Sequence, residues 1–262
     1  MTVHAGATRI TFLGTSTAIP DRGDDTASFV VNDRILIDTG WSAIENLIRN
    51  NIDPLSIDCL IFTHMHHDHY LSLPSFLFYQ VMKRRDLKEL TIVGPADDVE
   101  HVVSCACDFL QLERFFGSST TTPSVQPVQP GDDIVLAGFT LKTAATLHPV
   151  QGICGKLTDT ATGSVFAFTG DTAYHPPLAD HIRGASRLIH DSTLGPVAAD
   201  PDTNKALHAG ALDAARIARD AGVDTLVLFH GPRSLAAASV DAARTLFDGE
   251  VVWPERDQTI TL

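Results

Sequence analysis

The chain has 262 residues, 44% of them hydrophobic and 19% charged, and a formal net charge of −13. Such a composition supplies a globular core and excludes two classes: no apolar stretch approaches the roughly 18–20 residues of a membrane span, and the basic balance of a protein that neutralises long runs of phosphate is missing. Cys59, Cys105, Cys107 and Cys154 form no C-x-x-C pair and are read as reduced core thiols, and the N-terminus MTVHAGATRI has neither a basic nor an apolar signal region, so a cytoplasmic location is expected.

In chain order, β-rich runs come first: Arg9–Leu13, Ala27–Val31 and Arg34–Asp38, the last two joined by the hairpin signal Asn32-Asp33. A helix is predicted over Ser42–Asn51 with Ser42 as N-cap, followed by the apolar strand Cys59–Phe62. Leu71–Arg85 reads as a helix; Lys83, Arg84, Arg85 and Lys88 form its solvated basic end. A strand over Leu90–Val93 and one long helix over Asp97–Phe116 follow, and then residues 117–130 (GSSTTTPSVQPVQP), read as a long connection within one domain.

The second half repeats the scheme. Strands fall near Ile134–Leu136, Phe139–Ala144, Gly155–Thr158, Ser164–Thr169 and Arg187–His190. A helix over 208–221 ends with Gly222 at C′; the buried strand Thr225–Phe229, a helix over Ser239–Phe247 and short strands close the chain. Two halves, each β-rich and then helical, predict an α/β four-layer αββα sandwich in a single domain, 1–262.

Residues 63–70 read THMHHDHY, placing four histidines and an aspartate directly after an apolar strand. Further candidates sit at other strand ends: Asp38 ends RILID, His148 follows LKTAATL, Asp171 follows SVFAFTG and His230 ends TLVLF. Loops at strand ends converge on one site while the sheets hold them rigidly. A single histidine there is ordinarily structural; a cluster and four more strand-end candidates reverse that balance. Imidazole and carboxylate suit zinc at about 2.0–2.2 Å per bond, and manganese or iron as alternatives. Two ions sharing a hydroxide need around seven ligands. His64, His66, Asp68, His69, His148, Asp171 and His230 supply that number. Alternation in the turn sends His64 and His66 one way and Asp68 and His69 another, with His67 pointing away.

On these residues the chain resembles the metallo-β-lactamase fold superfamily: THMHHDH matches its H-x-H-x-D-H signature, Ile37-Asp38-Thr39-Gly40 its first motif, and His148, Asp171 and His230 its later three. FLGTSTAIP (12–20), HPVQGICGKL (148–157), FTGDT (168–172), HDST (190–193) and LFHGPR (228–233) are similar to the ribonuclease Z-like branch. The resemblance implies a dinuclear centre in which His64, His66 and His148 hold one metal, Asp68, His69 and His230 the other, and Asp171 bridges. It also implies that His208 acts as an acid oriented by Asp191, with Asp68 counted among the catalytic residues as well as the ligands. Where the branch has Glu, this chain has Asp191; where it has Ser-Thr, this chain has Ala209-Gly210. Dimers are common in the family, so a homodimer is a further expectation.

Transfer-RNA-processing members of that branch carry an extended arm, in many between the third and fourth motifs. Here a hairpin with Thr162-Gly163 at its turn fills that interval, and the opening loop continues DRGDDTAS, acidic where the nucleases tend to be basic or Asn-bearing. The expected activity is therefore a two-metal phosphodiesterase acting on a small-molecule or short nucleotide substrate, with no long nucleic acid and no membrane as partner. A same-fold hydrolase of a sulfate ester, lactone, thioester or acyl ester is the alternative. A weakly catalytic binding protein is the third reading, and no ligand is missing to favour it. Arg233, Tyr70 and His175 are candidates to line the pocket, His190 to support it from behind, and His4 and His101 are assigned to the surface.

Overall fold

Strands that are apolar on both faces must be covered on both faces, and that need sets the layers. The computed structural model describes residues 6–117 and 120–262; residues 1–5, including His4, and 118–119 lie outside it. The first half supplies β1 (Arg9–Gly14), β2 (Ser28–Val31), β3 (Ile35–Ile37), β4 (Cys59–Ile61), β5 (Thr91–Pro95) and β6 (Ser124–Val128). The second supplies β7 (Asp133–Leu136), β8 (Phe139–Ala145), β9 (Ile153–Asp159), β10 (Val165–Phe168), β11 (Arg187–Asp191), β12 (Thr225–Phe229) and β13 (Glu250–Val252). The last strand, β14 (Thr259–Thr261), returns to the first sheet. The sheets run β14-β1-β2-β3-β4-β5-β6 and β13-β12-β11-β10-β9-β8-β7. Four neighbouring strands in each, β3 to β6 and β10 to β13, pair in parallel.

Alternation sorts the core into three. Ile35 and Ile37 of β3 and Ile61 of β4 join Phe12, Phe29, Phe168 and Phe229 between the two sheets. Leu36 and Leu60 face the other way, onto α1 (Ala43–Arg49), α3 (Leu73–Met82) and α4 (Val99–Leu110). Behind the second sheet, α6 (Leu178–Ile182), α7 (Ala211–Ala221) and α8 (Ala236–Ala243) close the core; Ala211, Ala214, Ala215, Ala218 and Ala221 let α7 approach β11 and β12 closely. The layers are those of an αββα sandwich. Among the described residues, no helix is long and apolar enough to cross a membrane.

Four local expectations change. Residues 117–130 are not all connection: β6 lies in them, parallel to β5, at the edge of its sheet, where Pro127 withholds no ladder bond from a second neighbour. The single helix over 97–116 is broken by the left-handed Gln111 (φ 47) into α4 and α5 (Leu112–Phe116). Ser42 makes no side-chain cap; Asp25 accepts from the backbone N–H groups of Trp41 and Ser42, and Ser72 Oγ accepts from Ala43. Helix α7 starts at Ala211, so His208 precedes it on the approach loop rather than sitting in its first turn.

The cysteines also divide. Cys59 and Cys154 are buried, and burial pushes each thiol up to about 12. Cys105 on α4 is exposed and is not the core thiol expected, whereas the half-buried Cys107 packs against the core beneath that helix, because C-x-C on a helix directs its two side chains to different sides. A thiol reagent on native protein is expected to modify Cys105 first and to leave Cys59 and Cys154 untouched until denaturation. Rapid labelling of all four would contradict this packing.

Candidate metal centre and acid pair

The C-terminal ends of parallel strands point their loops into one crevice, and the two sheets bring two such sets of ends together. From the first sheet, Asp38 follows β3 and the histidine run follows β4, with α2 (His67–Tyr70) inside that run. From the second, His148 follows β8, Asp171 follows β10, Asp191 ends β11 and His230 follows β12. Gly170 makes the approach possible: its φ is +60, and an added Cβ would lie 2.6 Å from Thr63 Cβ. Backbone N–H of Ile153 donates to the Thr63 carbonyl, and His64 bridges to Gly152, stitching the halves at the site.

Seven of the expected residues meet in two overlapping groups. His64, His66, His148 and Asp171 form one; Asp68, His69, Asp171 and His230 form the other; within each, the donor atoms lie within 4.8 Å of one another. In the first, His66 Nδ1 lies 3.2 Å from His64 Nε2 and 3.0 Å from His148 Nε2. In the second, Asp68 Oδ2 lies 3.2 Å from both His69 Nε2 and His230 Nε2. Asp171 Oδ2 stands between them, 3.5 Å from His64 Nε2, 3.5 Å from His69 Nε2 and 3.6 Å from His230 Nε2.

The outer contacts decide which ring nitrogens face inward. The Leu207 carbonyl can only accept, so His148 Nδ1–H donates to it at 3.2 Å and leaves the Nε2 lone pair free. His69 Nδ1–H donates to Asp38 Oδ2 at 2.8 Å, again freeing Nε2. His230 Nδ1 meets Thr193 Oγ1 at 2.8 Å, and His64 Nδ1 meets Thr63 Oγ1 at 3.1 Å. Asp38 is itself fixed by the backbone N–H and hydroxyl of Thr63, both at 2.9 Å. Asp38 and His230 both occupy the left-handed region, at φ 54 and φ 53, a conformation non-glycine residues hold only when their surroundings demand it.

A divalent cation fits this donor set. Imidazole nitrogens and carboxylate oxygens converge on one point, and two atoms at the centre, His69 Nε2 and Asp171 Oδ1, are buried without a hydrogen-bond partner. The nitrogen spacings are those of donors sharing one ion, for which tetrahedral bonds of about 2.0–2.1 Å give edges of roughly 3.3 Å. Burial works against the charge on Asp171, yet the neighbouring imidazoles His230, His69 and His64 hold it well below the usual carboxylate range.

Beside the cluster lies the pair expected of an acid and its orienter. His208 Nδ1 is 2.9 Å from Asp191 Oδ2, and 3.8 Å from Asp171 Oδ2. Burial alone would lower the His208 pKa, but the hydrogen bond and charge of Asp191 overcome it and lift it to about 9. Asp191 in turn accepts from the backbone N–H groups of Thr172, Thr193 and Ala209 and from the Thr193 hydroxyl. Burial opposes its ionisation too, and His208 brings it below the ordinary value. Asn204 brackets His208: its Nδ2 donates to the His208 carbonyl at 2.7 Å and its Oδ1 accepts the His208 N–H at 3.2 Å.

Other candidates fall outside the cluster. His67 is exposed and lies over Tyr70, whose ring packs against the α3–α4 core instead. Arg233 is engaged with Glu255 at the surface. His190 Nδ1–H donates to the Asp191 backbone carbonyl at 2.8 Å without joining the donor cluster, and His175 joins no group of donors either. His101 is exposed, as expected. Thr193, Leu207 and Asn204 went unnoticed in the sequence; of these only Thr193 carried a signal, as the last residue of HDST.

Residues 33–231, well over half the chain, match the family described as "Beta-lactamase superfamily domain". The chain is 27% identical to the "Ribonuclease Z" of Haloarcula marismortui, with 94% of each chain covered. It is 25% identical to the "Probable metallo-hydrolase YhfI" of Bacillus subtilis, covering 93% of this chain and 95% of that one. The crystal structure of that YhfI, described as a metallo-beta-lactamase fold protein, matches with a TM-score of 0.81 at 24% identity, over 97% of this chain and 99% of that chain. The alignment with the Haloarcula protein runs over 307 positions, more than the 262 residues here, so it includes segments with no counterpart in this chain; that with YhfI runs over 248.

Proposed function

We propose, from the premise that this chain belongs to the beta-lactamase superfamily and has the metallo-β-lactamase fold, that it is a metal-dependent phosphodiesterase acting on a small or medium-sized phosphodiester, with residues 1–262 forming one hydrolase domain. The observation that carries this reading is the His208–Asp191 pair at 2.9 Å beside the seven-residue donor cluster. His64, His66 and His148 would hold one divalent ion, Asp68, His69 and His230 a second, and Asp171 would serve both. Two such ions, zinc first among those this donor set accepts, supply positive charge for phosphoryl oxygens and acidify water at neutral pH.

The protein's own residues do the rest. Asp38, Thr63, Leu207 and Thr193 lock the histidine rings so that the inward nitrogens need no reorientation. Asp191 holds the Nδ1 proton of His208, which leaves Nε2–H as the acidic atom for a leaving oxygen. Since the pKa is lifted to about 9, the imidazolium is the dominant form at neutral pH.

A short substrate is favoured over a long nucleic acid by the net charge of −13 and by the antiparallel β9–β10 pair that fills the interval between His148 and Asp171. One observation favours the second reading, a neutral acyl or sulfate ester: Arg233, the basic residue beside His230, is paired with Glu255 rather than free for an anion. Metal-replete protein assayed with bis(p-nitrophenyl) phosphate, p-nitrophenyl sulfate and p-nitrophenyl acetate separates them. Diester turnover is expected; turnover of the sulfate or acetate without the diester would sink the phosphodiesterase reading.

A further inference from the structure

Thr193 sits where β11 and β12 end side by side. Asp191 is in register with Phe229, so the next residues along each strand, Ser192-Thr193 and His230, emerge together. The Thr193 hydroxyl is half-buried and meets four groups: Asp191 Oδ1 at 2.7 Å, His230 Nδ1 at 2.8 Å, the His230 carbonyl at 2.9 Å and His208 Nδ1 at 3.2 Å. A hydroxyl has one proton to give and two lone pairs to receive with. That inventory settles the directions.

If His230 ligates through Nε2, its hydrogen is on Nδ1, and the acceptor that hydrogen meets is Thr193 Oγ1. The hydroxyl then gives its own proton to the better acceptor, the Asp191 carboxylate, over the neutral carbonyl. His208 Nδ1–H has its nearer partner in the other Asp191 oxygen, at 2.9 Å. The result is a directed chain: His230 Nδ1–H to Thr193 Oγ1, Thr193 O–H to Asp191 Oδ1, His208 Nδ1–H to Asp191 Oδ2.

We propose that Thr193 is a positioning residue that ties the metal-facing His230 to the proton-donating pair His208–Asp191, so that one hydroxyl orients both. The proposal rests on the reading of His230 as a ligand and His208 as the acid. Threonine suits the task because its branched Cβ restricts χ1, holding Oγ1 between the two partners.

The test uses the full-length protein as Thr193→Val, Thr193→Ser, Asp191→Asn and the Thr193→Val/Asp191→Asn double variant. Zinc affinity is read by competition with a chromophoric chelator, and kcat and KM with a phosphodiester whose leaving group is an aliphatic alkoxide, at saturating zinc. Thr193→Val is expected to weaken the second zinc equivalent by about 10–100-fold. It should also lower kcat while KM stays within about twofold. Thr193→Ser should restore both. In the double variant kcat should be no lower than in Asp191→Asn alone, because the hydroxyl acts through that carboxylate. Should Thr193→Val lose its circular-dichroism signature, Thr193→Ala, which also deletes the hydroxyl, takes its place. Wild-type zinc affinity in the valine or alanine variant, or kcat losses that multiply in the double variant, would overturn the proposal, as would a wild-type protein that binds no zinc. A wild-type protein that binds two zinc ions without hydrolysing the diester would sink the phosphodiesterase reading, while the affinity arm still decides the role of Thr193.

Discussion

Asp171→Ala is expected to abolish diester hydrolysis and to leave the protein with at most one tightly held metal ion per chain. The reason is position: its Oδ2 lies within 3.6 Å of inward nitrogens from both donor groups, and its Oδ1 is buried without a partner. Among the described residues no other side chain belongs to both sets of metal-facing donors, and the rings of His64, His69, His148 and His230 are each held by an outer contact. Removing a shared anion from a buried cluster of imidazoles also removes a charge that lets them gather: His230 is raised chiefly by Asp171, and His69 by Asp38 and then Asp171, in both cases against the cost of burial. Metal catalysis supplies several kcal/mol, and each 1.4 kcal/mol or so is tenfold, so the fall in kcat/KM should be on the order of 10³-fold or more. Metal content by mass spectrometry, kcat/KM with bis(p-nitrophenyl) phosphate and circular dichroism on one preparation provide the check. Two metals retained with turnover intact would refute the bridging assignment.

His208→Ala is the second large effect, with a different signature. His208 stands with Asp191 and His230 rather than in the two groups that share Asp171, and its Nδ1 is taken up by Asp191, so metal content is expected to be unchanged. A general acid contributes about 10²–10⁴-fold, and its contribution grows as the leaving group becomes a poorer one. The loss in kcat should therefore be shallow with p-nitrophenolate, which departs without a proton, and should reach that full range with an aliphatic alkoxide leaving group. KM should change little. Asp191→Asn should follow the same trend more weakly: the amide keeps one acceptor but cannot replace an oxygen pair that takes five hydrogen bonds. An equal loss on both leaving groups would show that His208 merely packs against His148 and His230, whose rings it neighbours at 5.1 and 5.6 Å.

Much of this arrangement is legible in the residues alone, for a physical reason. Both-face burial of Ile35–Ile37, Cys59–Ile61 and Thr225–Phe229 announces covered parallel strands. In an α/β sheet the ends of such strands are where ligands bind, so a histidine or aspartate just past an apolar run points to its own place. His64, Asp171 and His230 are found that way, and the spacing within THMHHDHY accounts for His66, Asp68 and His69. The acid pair is a different case, since Asp191 and His208 are 17 positions apart on separate segments and were linked only by resemblance.

What the tertiary structure alone decided are the contacts that orient these groups. Leu207 presents a backbone carbonyl to His148 from 59 positions away, and no side-chain pattern encodes that. Asp38 looked like one more strand-end candidate, yet it serves His69 from behind, 31 positions away, because the left-handed turn at β3 directs its carboxylate to Thr63 and His69. The edge strand β6 was hidden inside a Pro- and Ser-rich run, since an edge tolerates the very residues that mark a loop. Sequence periodicity reports which face of an element is buried; it carries no information on which distant carbonyl, hydroxyl or carboxylate will meet that face, and here those meetings choose the tautomer of every ring they touch.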